Sequence, residues 1–176
     1  MQEICGGIRM KYEFDGFNDA YFRHISSNIA RGRYRYIGKG SGRIVYDLGN
    51  GKVLKSAKNM KGIAQNIEEY RIALADNSGL FARIYDMSGD YRFLIMDKAD
   101  GIRDISHVWK YFHVRSNNEL YQLRILREIS VRYDLLIRDL GRAVNWGLIN
   151  GRPVIIDYGF TRDVRRKFYK TAKTGN

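Results

Sequence analysis

The chain has 176 residues, of which 44% are hydrophobic and 28% charged, as expected for one globular domain and not for a disordered, collagenous or coiled-coil chain. Thirty-one Lys and Arg against nineteen Asp and Glu leave a net charge of +12, which suits anionic partners: phosphates, nucleic acid or acidic proteins. A lone Cys5 excludes an internal disulfide and a zinc-thiolate cluster, and no apolar run reaches the ~18 residues of a membrane span, so a cytoplasmic, non-membrane protein is expected.

The bases concentrate in two places. Six (Arg23, Arg31, Arg33, Arg35, Lys39 and Arg43) fall between residues 20 and 46 with no acid among them, and six follow Phe160 against Asp163 alone. In chain order, Asn18 is placed to cap a short helix carrying Tyr21, Phe22, Ile25 and Ile29. Strands are expected at 34–37, 43–48 and 52–55, the last two joined by a Gly49-Asn50-Gly51 turn whose residues tolerate positive φ. Ile63, Ile67, Tyr70 and Leu74 predict a helix by their spacing. Strands at 82–87 and 92–96 flank Ser88-Gly89-Asp90. Leu120, Leu123, Leu126 and Ile129 predict one helix ending near Tyr133. A hairpin, 146–149 and 152–156 around Asn150-Gly151, then delivers Asp157-Tyr158-Gly159.

Three groups of residues could carry chemistry. Gly38-Lys39-Gly40-Ser41-Gly42 lies between strands, where glycines let backbone N–H groups approach a phosphate. It is no Walker A loop, lacking Gly-Lys-Ser/Thr, and no Rossmann turn, because a strand follows. Lys55 in Val53-Leu54-Lys55 reads either as an exposed strand lysine or as a charge held beneath that loop; Glu68 and Glu69 are both available as its partner, and periodicity leaves the choice open. Asp139, Asn145 and Asp157 form the third group. Asp157 ends an apolar strand, where a carboxylate is costly unless paired, capping a turn or holding a metal.

In this order the elements resemble the protein-kinase-like family, from about residue 34 to residue 159, in the reduced form of small bacterial and phage kinase-like proteins. Gly38, Gly40 and Val45 match the pattern G-x-G-x-x-G-x-V, with Arg43 at the third glycine and Gly42 one place early. Ile137-Arg138-Asp139 resembles H-R-D with isoleucine for histidine, and Asn145 follows by one residue more than the family spacing. Asp157-Tyr158-Gly159 resembles D-F-G.

The resemblance implies an α+β fold, a minimal protein-kinase-like domain spanning 1–176. Its N-terminal part, about 34–99, would hold a five-strand antiparallel sheet with one helix. Its reduced helical part, about 100–176, would carry a catalytic-loop hairpin. It further implies ATP bound through Gly38, Lys39, Gly40, Ser41, Gly42 and Val45, with Lys55 on the phosphates, Glu69 (after Gln65-Asn66) positioning that lysine, and Met96, Asp97 and Ala99 at the adenine. Mg²⁺ would be held by Asp157 and Asn145, and Asp139 would be the catalytic base. The implied activity is phosphoryl transfer to protein Ser/Thr or to the chain itself. An inactive scaffold binding nucleic acid or an acidic protein is the alternative, and AMP transfer a third reading.

Overall fold

The computed structural model describes residues 17–169; Cys5, Lys170 and Lys173 lie outside them. Helix α1 (Phe17–Ala30) precedes three antiparallel strands, β1 (Arg35–Lys39), β2 (Arg43–Asp47) and β3 (Lys52–Ala57). Helix α2 (Met60–Ala75) follows, started by Asn59, whose side chain accepts the Gly62 N–H. Strands β4 (Ile84–Met87) and β5 (Phe93–Asp97) complete a five-stranded antiparallel sheet ordered β1-β2-β3-β5-β4. The fold is α+β.

Strand alternation makes β3 the partition of this half. Leu54 faces α1, where it is buried with Phe22, Ile25 and Ile95, whereas Val53 and Lys55 point to the opposite face. The ring of Phe22 stacks on that of Phe93 at 6.0 Å, which fixes α1 across the back of the sheet.

The second half contains a short strand β6 (Asp100–Gly101) and helices α3 (Ser106–Phe112), α4 (Asn117–Gln122) and α5 (Arg124–Arg132). Two 3₁₀ turns, Ile137–Gly141 and Ala143–Asn145, lead into the hairpin β7 (Trp146–Ile149) and β8 (Arg152–Ile155), and α6 (Arg162–Phe168) follows. Sheet β6-β7-β8 is antiparallel throughout. Asn150 and Gly151 take φ of 51° and 77°, as the hairpin signal requires.

Three expectations change. The stripe from Leu120 to Ile129 belongs to two helices, because Leu123 between them is extended at φ −59° and ψ 126°. The segment from residue 82 begins its strand only at Ile84; the Ala82 amide instead donates to Ile155 O at 2.9 Å, joining the two halves. On α2 the predicted apolar stripe is not the buried one: Ile67 and Leu74 are 36% and 62% exposed, and Gln65, Asn66, Glu69 and Ile72 face inward. Among the described residues, no helix is long and apolar enough to cross a membrane.

Candidate active site

The buried polar face of α2 organises the site. Lys55 projects from β3 and is 5% exposed; its Nζ donates to Glu69 Oε1 and Oε2 at 2.7 and 2.8 Å and to Ile156 O at 2.6 Å. All three of its N–H donors are therefore used. Glu68, one residue earlier, sits on the outer face of α2 and pairs with Arg71 at 2.7 Å. Glu69 also accepts the N–H groups of Tyr158 and Gly159, each at 3.2 Å. A single carboxylate thus ties β3, α2 and the segment after β8 together.

Two glycines allow this closeness. A Cβ on Gly159 would overlap the Gln65 carbonyl oxygen, and one on Gly62 would overlap the carbonyl oxygen of Gly42. Gly42 is thus used for packing: the glycine turn rests on the start of α2, and Lys58 N–H donates to Gly42 O at 2.8 Å. Gly38 and Lys39 are residues of β1, so the open loop is shorter than expected.

Arg43 follows Gly42 and turns inward. Counted from the sequence as one of a run of bases, it is only 6% exposed, while Arg23, Arg31, Arg33 and Arg35 are exposed. Its guanidinium reaches Glu69 at 2.9 Å and Asp157 at 2.6 Å. Burial pushes the Glu69 carboxyl up, but the Arg43 and Lys55 cations beside it outweigh that and hold it at about 2. Burial and the neighbouring Arg43 charge lower the Lys55 ammonium from its ordinary value, against the pull of Glu69.

A cavity of about 560 Å³ opens beneath the loop, within the usual size of a small-molecule site. Gly40, Ser41, Gly42, Val45 and Lys55 line it together with Met96, Asp97, Ala99 and Asp157. Glu69 lies behind Lys55, outside the lining, as do Gly38 and Lys39. The amides of Asp97 and Lys98 are already taken by Arg83 O and Gly51 O, both at 2.9 Å. Sequence reasoning missed Arg43, Gln65 and Val53 in this wall; Val53 was legible as the inward partner of Lys55 two residues away.

A second cavity of about 340 Å³ adjoins the first and is lined by Asp139, Asn145 and Asp157 together with Gly40 and Ser41. Asp139 sits in the first 3₁₀ turn, 3.6 Å from Arg142. Burial raises its carboxyl from the ordinary aspartate value, opposed by the Arg142 charge. Asn145 Nδ2 donates to the Asp139 carbonyl at 2.8 Å, so the longer spacing between the two is taken up by a hydrogen bond. Ser41 and Tyr169 hydroxyls meet at 2.7 Å over this cavity.

The donor set fits a magnesium ion in part. Asn145 commits its N–H to Asp139, which leaves its oxygen as the ligand-capable atom. The Asp157 side chain is 48% exposed, but its Oδ1 is held by Arg43 at 2.6 Å. The strand-end carboxylate therefore has an arginine partner, and burial does not oblige it to hold a metal. Among the described residues, no group of three or more His, Cys, Asp or Glu is arranged for a metal.

The strand order, the helix after the third strand and the joint of Lys55 with Glu69 are the arrangement that the resemblance to the protein-kinase-like family implies. No family model and no curated protein matches the chain. Solved structures similar to it include the streptomycin–ATP–APH(2")-IIa ternary complex, 15% identical over 84% of this chain and 71% of that one, with a TM-score of 0.45. The gentamicin–APH(2")-IIa complex is also 15% identical, over 85% of this chain and 71% of that one, with a TM-score of 0.48.

Proposed function

We propose that the chain binds ATP in the 560 Å³ cleft and transfers its terminal phosphoryl group to a hydroxyl acceptor, a protein Ser/Thr or a residue of its own, in the cytoplasm. The observation that carries this reading is Lys55. Burying an ammonium is expensive, and here it is buried at the wall of a cavity, with Glu69 holding it there. Phosphate oxygens of a bound nucleotide would replace Ile156 O as its third partner. The acceptor would enter the smaller cavity, where Asp139 accepts or orients the hydroxyl proton and Asn145 fixes the turn that carries it. Magnesium at this site would have the Asn145 side-chain oxygen and the Asp157 carboxylate, once Arg43 releases it, as its protein ligands, and would supply charge neutralisation at the phosphates.

Thermal unfolding with ATP is the first test: binding stabilises by ~2.7 kcal/mol at a hundredfold excess over Kd. Label transferred from γ-labelled ATP supports phosphoryl transfer, whereas label from α-labelled ATP would mean AMP transfer. An absent thermal shift together with no transfer of either label would sink the reading.

A second reading is a kinase-like scaffold for nucleic acid or an acidic protein partner. The Arg43–Asp157 pair favours it, because it spends a carboxylate that catalysis would use, and the exposed arginines around α1 add a basic surface. Binding to nucleic acid whose affinity falls steeply with salt would support it.

A further inference from the structure

Arg43 occupies the place where the kinase-like pattern has its third glycine, and its side chain does what a glycine cannot. From β2 it reaches three oxygens of α2, with Nη1 at 3.3 Å from Asn66 Oδ1 and 2.9 Å from Glu69 Oε2, and Nη2 at 3.0 Å from Glu69 Oε1. The same Nη2 lies 2.6 Å from Oδ1 of Asp157, which also lines the cleft. Both terminal nitrogens are thus committed to protein oxygens, one of them to one of the two Asp157 oxygens that a divalent cation could use. The planar fork makes this a fixed, charge-assisted contact and not a loose surface pair.

Among the protein's own groups the charges also balance without a metal. At the phosphate end of the cleft two buried cations, Lys55 and Arg43, face two carboxylates, Glu69 and Asp157. A divalent ion on Asp157 would lie beside a guanidinium anchored on α2, and like charges at that separation repel. Arg43 lies in the wall of the larger cavity.

We propose that Arg43 is a positioning residue that takes a metal ion's charge-balancing place on Asp157. ATP enters with the Arg43–Asp157 pair intact, and a divalent cation reaches Asp157 Oδ1 only by displacing the guanidinium. This inference rests on reading the cleft as an ATP site.

The test compares the wild-type protein with Arg43→Gln and Arg43→Gly. ATP affinity is measured by titration calorimetry in EDTA and in millimolar Mg²⁺, and Mn²⁺ binding to the protein alone by water-proton relaxation. The wild type should change its ATP affinity by less than about threefold between the two conditions, while both variants become dependent on metal by about tenfold or more. Both variants should also bind Mn²⁺ about tenfold more tightly than the wild type, and adding Asp157→Asn should remove that gain. The wild-type comparison needs no variant and stands if both variants fail to fold. A wild-type affinity that collapses in EDTA overturns the proposal, as does equal Mn²⁺ binding by all three proteins. If ATP binds to none of them under either condition, the ATP reading of the cleft fails and the proposed entry of ATP fails with it. Mn²⁺ binding then still decides whether arginine and metal compete for Asp157.

Discussion

Lys55 and Glu69, fourteen residues apart in the chain, meet with both carboxylate oxygens within 2.8 Å of the ammonium. Neither has appreciable contact with solvent. A buried pair of this kind is sensitive to loss of one member, because the remaining charge is left uncompensated. Removing Glu69 is worse than removing Lys55, since Glu69 also neutralises Arg43. Glu69→Gln should therefore destabilise the fold by about 3–5 kcal/mol in urea titrations. Lys55→Met combined with Glu69→Gln should be markedly non-additive in nucleotide binding. Glu68→Gln, whose residue pairs with Arg71 on the outer face, should be nearly silent in both measurements.

The same carboxylate gives the protein an acid-sensitive joint. Glu69 faces Arg43 and Lys55, with Asp157 on the other side of Arg43 and the amides of Tyr158 and Gly159 beside it. Its folded pKa is depressed from 4.5 to about 2, so its contribution is complete above pH 4.5 and disappears as pH falls toward 2. The stability difference between wild type and Glu69→Gln should shrink across that window. A difference that stays constant from pH 7 to pH 2 would mean that the charge of Glu69 contributes nothing to folding.

Asp139 should separate binding from transfer. Asp139 lines the smaller cavity and Lys55 the larger one. Asp139→Asn should leave ATP affinity nearly unchanged and reduce transfer by about 10²–10⁴, the usual contribution of a general base. Calorimetry and label transfer on the same preparation read the two effects separately. Full activity in Asp139→Asn would move the proton-accepting role to another group.

The glycines divide by what surrounds them. Gly159→Ala places a methyl group on the Gln65 carbonyl, and Gly62→Ala places one on the carbonyl of Gly42. Each forces α2 away from its neighbours and should cost about 1–3 kcal/mol, as overpacking does. Gly38→Ala meets nothing within 4 Å and should be tolerated. Thermal melts of the three variants provide the comparison.

Local sequence determined what local conformation controls. Asn150-Gly151 and Gly49-Asn50-Gly51 specify their hairpins because few other residues accept the positive φ found at Gly49, Gly51, Asn150 and Gly151. The order of strand lysine, helix glutamate and strand-end aspartate was legible along the chain as well. Tertiary structure decided which side of α2 is buried. The apolar spacing of Ile63, Ile67, Tyr70 and Leu74 points to one face, yet the helix turns Gln65, Asn66 and Glu69 inward. That rotation is stable because Arg43 and Lys55 approach from the sheet and satisfy the buried carboxylate, which no property of α2 alone could provide. The choice between Glu68 and Glu69 follows from it. The sequence groups Arg43 with exposed bases for the same reason: its partner Asp157 lies 114 residues away. Backbone preferences act over a few residues, whereas a buried charge is placed by whatever opposite charge the fold brings within about 3 Å of it.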